Sequence, residues 1–270
     1  MLVRGLHATA ALWLLASCSA GSLHWPEAEP QDPAPSGPGY LRTYKESHFR
    51  ALGDGFRGTT TLDGFCARVA RVRVLFLGDH HGDPALHERF LALLMELDRR
   101  GTRYELGLEC IGVQDEVAVD AYLRGSLDLA GVVRTTRARQ TESWLESDDV
   151  DSAFYRALLT RARTRGVPVF GLEPTPRPPL YERDQGIARR VRARARAKPN
   201  TLLVVVVGET HLLGQGQLLR RVDLPHVAVA ARLSVALRER AQELHFDPDA
   251  AFVESMSGLH FFLPLADVDD

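Results

Sequence analysis

The apolar run TLLVVVV at residues 201–207 is the feature that most constrains the fold. Such a run, rich in β-branched valine, is typical of a strand buried on both faces of a sheet. A second run of the same character, VRVLFL, occupies residues 72–77. Each run is followed by the polar pattern Gly-acid-x-His, as Gly78-Asp79-His80-His81 and as Gly208-Glu209-Thr210-His211. The repeated pattern predicts two similar turns that meet at one site.

Helical and strand patterns alternate around these two runs. We predict helices at residues 62–69, 87–100, 113–123, 153–165, 182–197 and 237–244. We predict further strands at residues 104–108, 167–172, 226–233 and 260–265, a less regular connection at 135–151 and a proline-rich loop at 173–179. Because apolar strands that alternate with helices form parallel sheets covered on both faces, the sequence predicts a single α/β domain with a mainly parallel sheet.

The N-terminal residues have the pattern of a bacterial lipoprotein leader. An apolar stretch at residues 8–16 follows the positive charge of Arg4 and is too short to span a bilayer, as in a signal peptide. The sequence LASC at residues 15–18 then resembles a lipobox, which implies cleavage before Cys18 and acylation of that cysteine. The alternative is an ordinary secretory signal with a chance cysteine.

These features divide the chain into three parts. We predict a signal peptide at residues 1–17, a lipidated cysteine with a Pro/Gly/Ser-rich tether at residues 18–39, and an α/β domain at residues 40–270. Ser19, which follows the cysteine where an aspartate would retain the protein in the inner membrane, favours the outer membrane of the bacterial envelope.

Charge and cysteine content limit the classes of function. The chain has 33 basic and 35 acidic residues, a net charge of −2, so no global positive field favours a nucleic-acid partner. Apart from Cys18, the cysteines are Cys66 and Cys110, which leave one disulfide or two buried thiols open and provide no CxxC metal motif. The basic run at residues 189–198 is typical of a solvated helix face, with contact to anionic lipid or polysaccharide as the alternative.

Polar residues follow four of the predicted strands. They are Asp79 with His80, Glu109, Glu173, and Glu209 with His211. Because ligands bind beyond the carboxyl ends of parallel strands, we expect these residues to share one rim of the sheet. We choose His80 over His81, whose side chain should point elsewhere, and we add His87 at the start of the next helix. Glycine before each polar group should let the chain leave the strand in a conformation that larger residues resist.

Two imidazoles and a carboxylate that converge on one point suit three tasks. They can hold a divalent metal ion. They can act as general base and acid toward a bound substrate. They can also line a pocket for haem, whose iron takes an axial histidine or tyrosine. The residue types alone leave these three tasks open.

The motifs form an ordered set along the chain. They are GDHHGDPALH from residue 78, GLE at 107–109 with Gln114, VPVFGLEPTPR from residue 167, ERDQGIA at 182–188 and VVVVGETH, which ends at His211. This order, over residues 72–219, resembles the ChaN-like haem-binding lipoproteins of the wider Tiki/TraB and erythromycin-esterase-like superfamily. The family usually has Gly-Glu-x-His at the first motif; Gly78, His80 and His87 match it, and Asp79 replaces the glutamate.

The resemblance implies a haem-binding protein of iron uptake rather than an enzyme. The haem contacts that it implies are His80, His87, Glu109, Tyr181, Arg183, Asp184 and His211. It also implies a tyrosine among the iron ligands, for which Tyr181 is the preferred candidate, followed by Tyr122. The implied partners are haem, the membrane through lipid on Cys18, and a haem receptor or a second copy of the chain.

Two alternatives stay open. Related branches of the superfamily are metal-dependent hydrolases or proteases, in which His80, Glu109 and His211 would hold the metal and act in catalysis. The second alternative is a non-catalytic envelope protein whose site has decayed. It is suggested by Asp79, because a side chain shorter than glutamate sets its carboxylate back from the site.

Overall fold

The fold is seen in a computed structural model that describes residues 55–137, 143–174, 178–213, 217–230, 239 and 248–263. Cys18, the predicted signal peptide and tether, and nearly all of the predicted helix at 237–244 lie outside these ranges. Within the ranges, no helix is long and apolar enough to cross a membrane. Cys66 and Cys110 are buried free thiols, which decides between the two alternatives for this pair.

An eight-stranded sheet forms the centre of the domain. Its strands are β1 (Phe56–Thr61), β2 (Val74–Asp79), β3 (Tyr104–Gly112), β4 (Val169–Glu173), β5 (Leu202–Gly208), β6 (His226–Val229), β7 (Ala250–Ser255) and β8 (Leu259–Phe262). Their spatial order is β1-β7-β8-β6-β2-β5-β3-β4. Neighbours from β8 to β4 are parallel, whereas β7 pairs antiparallel with β1 and β8. The predicted mainly parallel sheet is therefore confirmed.

Helices cover both faces of this sheet, as predicted. They are α1 (Leu62–Val69), α2 (Pro84–Arg99), α3 (Glu116–Leu123), α4 (Leu129–Arg137), α5 (Ser152–Arg165), α6 (Leu180–Ala197) and α7 (Leu218–Val222). Helices α1 to α5 share one apolar core with Leu75 and Leu77 of β2, and α6 and α7 share a second core with Val74 and Phe76. Because alternate residues of β2 point to opposite faces, both sets must be apolar, which explains the continuous run in the sequence.

Some elements do not follow from the sequence pattern. Strand β1 (FRGTTT) has one apolar residue, and β7 (AAFVES) has a run of only four. Both lie at the antiparallel end of the sheet, where burial is less complete. Helix α4 begins at Leu129, before the irregular connection predicted at residues 135–151, and it ends at Arg137. Residues 135–137 of the predicted connection are therefore helical. The sequence of α4, LAGVVRTTR, contains glycine and β-branched residues of low helix propensity.

The order of the strands brings the polar strand ends together. Strands β2, β5, β3 and β4 are consecutive neighbours and run parallel, so their carboxyl ends lie on one rim. Asp79 at the end of β2 is in register with Gly208 at the end of β5. Leu108, which precedes Glu109 in β3, is in register with Val206. The prediction that the two Gly-acid-x-His turns lie side by side is confirmed.

Candidate functional site at the carboxyl ends of the strands

A first cluster surrounds the Asp79 carboxylate on the face of the sheet covered by α2 and α5. Asp79 Oδ1 accepts a hydrogen bond from His87 Nε2 at 2.6 Å, and Oδ2 accepts one from the Tyr155 hydroxyl at 2.5 Å. His81 Nδ1 lies 3.0 Å from Oδ2. Burial alone would raise the pKa of Asp79, but the hydrogen bonds from His81 and His87 outweigh it and lower the pKa. Asp79 is therefore a buried anion with three partners, and its short side chain is matched to their positions.

His87 links this cluster to the start of α5. Its Nδ1 lies 2.8 Å from Asp151 Oδ2, and its ring stacks on Phe154 with 3.9 Å between centroids. Asp151 also caps α5, since its Oδ1 accepts a hydrogen bond from the Phe154 backbone N–H. Burial would lower the pKa of His87, but the hydrogen bonds and charges of Asp79 and Asp151 raise it. Because both ring nitrogens are occupied, His87 connects two elements rather than facing a ligand.

A second cluster surrounds Glu109 on the face covered by α6. Glu109 Oε1 accepts a hydrogen bond from Arg183 Nη2, and Oε2 accepts one from the Gly208 backbone N–H at 2.6 Å. Arg183 Nη2 also donates to Glu173 Oε2 at 2.8 Å. One guanidinium thus joins the ends of β3 and β4 to the first turn of α6, and its charge offsets two buried carboxylates.

His211 is held in this second cluster through both ring nitrogens. Its Nδ1 lies 2.5 Å from Asp184 Oδ1, and its Nε2 lies 3.4 Å from Glu109 Oε1. Burial would lower the pKa of His211, but the Glu109 charge and the Asp184 hydrogen bond raise it from 6.5 to about 9. In return, the charges of His211 and Arg183 hold the pKa of Glu109 well below its usual value despite its burial. The cluster therefore carries paired, fixed charges at neutral pH.

His81 lies between the two clusters. A methyl group placed on Gly208 would lie 3.2 Å from His81 Nε2 and 3.4 Å from Glu109 Oε2, so the imidazole and the carboxylate meet above this glycine. The His81 ring also packs on Trp144, with 4.2 Å between centroids, and 33% of its side chain is exposed. His81 therefore lies next to both buried clusters and is itself partly exposed to solvent.

The glycines of the two turns are required for close approach rather than for an unusual backbone. Gly208 has a φ of −52°, and neither Gly208 nor Gly78 has a positive φ. A side chain on Gly78 would come within 2.9 Å of Leu212, and one on Gly208 would crowd His81. The expectation that these glycines adopt conformations closed to larger residues is wrong.

The structure places His81 beside Asp79. The expectation that the His81 side chain points elsewhere is wrong, because the chain turns at this point: Asp83 N donates to the His80 carbonyl oxygen. His80 is partly exposed, and its predicted role stays a prediction. The sequence did contain a signal for His81. His211 is the fourth residue of the second Gly-acid-x-His motif, and His81 is the fourth residue of the first.

The remaining predicted haem contacts divide into buried and exposed side chains. The buried ones, all engaged within the two clusters, are His87, Glu109, Arg183, Asp184 and His211. Tyr181 is 54% exposed in the first turn of α6, where the Arg221 guanidinium lies 4.2 Å from the ring centroid. Hydrogen bonding and charge from Arg221, with a further hydrogen bond from Gln185, lower the pKa of Tyr181. The other candidate, Tyr122, is buried in α3.

The residues expected for a metal centre are not arranged as one. Across the ranges that the structure covers, no group of three or more His, Cys, Asp or Glu side chains is placed to hold a metal ion. The predicted set of His80, Glu109 and His211 is included in that finding. For Glu109 and His211 the physical reason is that their polar atoms already engage Arg183, the Gly208 N–H and Asp184.

One family model matches part of this chain. A family model described as haem-binding uptake, Tiki superfamily, ChaN, matches residues 65–177. The resemblance predicted from the ordered motifs is therefore confirmed, and residues 65–177 are similar to the ChaN family. The matched segment contains Asp79, His81 and Glu109, whereas Arg183 and His211 lie beyond it. Among curated proteins, none matches this chain.

Several solved structures are similar to parts of this chain at low sequence identity. The type III effector HopBA1 has a TM-score of 0.45 and 18% identity, over 68% of this chain and 88% of its own. ChaN of Campylobacter jejuni, whose structure is described as cofacial haem binding, has a TM-score of 0.43 and 10% identity, over 64% of this chain and 86% of its own. RRSP, a MARTX toxin effector domain from Vibrio vulnificus, has a TM-score of 0.43 and 18% identity, over 71% of this chain and 42% of its own.

Replacement of Asp79 tests the first cluster. We expect Asp79→Asn to destabilise the domain by about 3–5 kcal/mol, because it removes the charge that pairs with buried His87. Asp79→Glu, which restores the usual family residue, should cost about 1–3 kcal/mol, because its extra methylene must fit among three close partners. Denaturant unfolding measures both, with exposed Glu88→Gln as a control that changes stability by about 0.5 kcal/mol or less. An Asp79→Asn variant as stable as the wild type would contradict this account of the cluster.

The raised pKa of His211 predicts a fall in stability with rising pH. A group whose pKa is raised by folding from 6.5 to about 9 stabilises the fold fully below pH 6.5, and this contribution is lost as the pH rises through 9. The loss should be about 3 kcal/mol at most. Unfolding measured across this range should show the fall, and NMR of the imidazole nitrogens should show His211 still protonated at pH 8. A neutral His211 at that pH would refute the proposed charge pairing.

Proposed function

We propose that this protein binds haem at its surface, with Tyr181 as the iron ligand and the buried clusters as the framework that holds it. The observation that carries the proposal is the pairing of an exposed phenol with the Arg221 guanidinium at the start of α6. The family model that matches residues 65–177 is described as haem-binding, which supports haem as the bound molecule. Iron uptake or haem handling is then the role of the protein.

The chemistry of Tyr181 suits ferric haem. Tyrosine serves as an axial ligand to haem iron in its phenolate form, so a lowered pKa favours coordination. Arg221 supplies this effect through hydrogen bonding and positive charge at the phenol. When bound, the haem provides the iron to which the phenolate oxygen binds. The exposure of Tyr181 leaves its hydroxyl accessible to a ligand that approaches from solvent.

The predicted residues that follow Tyr181 act on its position. Arg183, two residues later, is fixed by Glu109 and Glu173. Asp184 Oδ2 accepts a hydrogen bond from the Gln217 backbone N–H at 2.7 Å, which ties α6 to the start of α7. These contacts fix the first turn of α6, where Tyr181 lies. Arg183, Asp184, Glu109 and His211 are therefore positioning residues in this proposal rather than haem ligands.

The side chain of Gln217 completes the connection to the phenol. Gln217 Oε1 accepts a hydrogen bond from Arg221 Nη2 at 2.7 Å, and the Arg221 guanidinium lies over the Tyr181 ring. A series of contacts thus leads from His211 through Asp184 and Gln217 to Arg221. The hydrolase alternative, with His80, Glu109 and His211 in catalysis, is favoured by no specific contact and stays a prediction, as does assembly with a haem receptor or a second copy.

Titration with haemin tests the role of Tyr181. We expect the wild-type chain to give a saturable Soret shift, and Tyr181→Phe to weaken binding by at least about tenfold, because the ring stays but the ligating oxygen is lost. Tyr122→Phe is the matched control, since it removes the same atom from a buried tyrosine and should leave the spectrum unchanged. Absence of a saturable shift in the wild type, or an unchanged titration in Tyr181→Phe, would refute the proposal.

We also propose that lipid on Cys18 anchors the protein to the cell envelope, in the outer membrane. The lipobox at residues 15–18 supports this proposal. Cells fed labelled palmitate should label the wild type but not Cys18→Ser, because the acylated thiol is lost. Ser19→Asp should stay labelled and move to the inner membrane. Labelling of Cys18→Ser would exclude this anchor, and an unchanged location of Ser19→Asp would argue against sorting by residue 19.

A further inference from the structure

A basic groove lies beside Tyr181, between α6 and α7. Its volume is about 300 Å³, and it is lined by Gln185, Ala188, Arg189, Arg192 and Arg221. Residues 181, 185, 189 and 192 follow one another at helical spacings of four, four and three, so Tyr181 lies on the same face of α6 as the groove. Arg221 belongs to both features, because it lines the groove and contacts the phenol ring. The groove and the proposed iron ligand therefore form one continuous surface.

The groove presents positive charge without local compensation. Three of its five lining side chains are arginines, and none is a carboxylate. Arg189 is exposed and makes no hydrogen bond or ion pair with any part of the chain that the structure describes. Two other arginines of α6 are committed: Arg190 pairs with Glu116, and Arg194 pairs with Glu105 at 2.6 Å. The groove thus retains guanidinium groups that an anionic ligand can bind.

Two of the groove arginines are partly fixed in place. Arg192 Nη1 donates a hydrogen bond to the Arg221 carbonyl oxygen, and Arg221 Nη2 donates to Gln217 Oε1 at 2.7 Å. Each retains further N–H groups, because a guanidinium carries five donors. Pre-oriented guanidinium groups bind carboxylates through paired, charge-assisted hydrogen bonds at a reduced entropic cost. Carboxylates are therefore ligands well matched to this groove.

We infer that the groove binds the propionate carboxylates of the porphyrin, with Arg189 and Arg192 as the residues that orient the macrocycle while Tyr181 binds its iron. This inference rests on the proposed haem binding and adds the residues that recognise the porphyrin edge. Residues 185 to 192 lie about 6–16 Å along the helix axis from residue 181, so the groove begins next to the phenol and extends away from it. A flat dianionic ligand held at its centre by Tyr181 would reach this groove with its charged edge.

The test compares haemin with its dimethyl ester, which keeps the iron and ring but lacks the propionate charges. We expect the wild-type full chain to bind haemin at least about tenfold more tightly than the ester. The double variant Arg189→Gln/Arg192→Gln should lose most of this preference and bind both forms with similar affinity. Its Tyr181-dependent spectrum should remain. Arg156→Gln, an exposed arginine of α5 on the opposite face of the sheet, is the matched control and should keep the preference.

Each other outcome has a definite meaning. Equal wild-type affinity for haemin and the ester, or an unchanged preference in the double variant, would overturn the inference and leave the proposed function standing if the Tyr181-dependent spectrum is present. Absence of haemin binding by the wild type would overturn both. Binding to phosphatidylglycerol vesicles is measured in parallel. If the double variant loses vesicle binding and keeps the haemin preference, the groove binds lipid headgroups and the inference is wrong.

Discussion

The arrangement of the site depends on the Glu109 carboxylate. It accepts hydrogen bonds from Arg183 of α6 and from the Gly208 N–H at the end of β5, and it faces His211. Removal of one member of a buried charged group leaves the others unpaired, at a typical cost of about 3–5 kcal/mol. Because Arg183 and His211 follow different strands, their common partner fixes the position of both segments relative to β3.

This constraint separates the site into buried groups that hold positions and exposed groups that can meet a ligand. Asp79, His87 and the Glu109 cluster have their polar atoms directed at one another. Tyr181 is close in sequence to Arg183 and is exposed. The buried charges therefore determine where Tyr181 lies, although its own side chain is exposed to solvent. The same division explains why buried histidines typical of a metal or catalytic site occur here without a metal-binding arrangement among the residues described.

The sequence predicted the central sheet because β2 and β5 are apolar on both faces, and it predicted the meeting of the two turns because parallel strands end on one rim. Prediction from the sequence failed where a position depends on a local turn or where a strand lacks a long apolar run. The expectation that the His81 side chain points elsewhere was wrong, because the chain turns after Asp79 and places His81 beside that carboxylate. Strand β1 has a single apolar residue and the apolar run of β7 is only four residues long, so neither was recognised as a strand. The pairing of Tyr181 with Arg221 joins two helices and could not be read from either one.

The central claim is that haem iron binds the Tyr181 phenolate. Resonance Raman spectroscopy of the haemin-loaded chain tests it most directly, because iron-bound tyrosinate contributes its own ring vibrations. The account predicts these vibrations in the wild type, their loss in Tyr181→Phe and their retention in Tyr122→Phe. A loaded wild type without tyrosinate vibrations, or a Tyr181→Phe variant that keeps them, would contradict it.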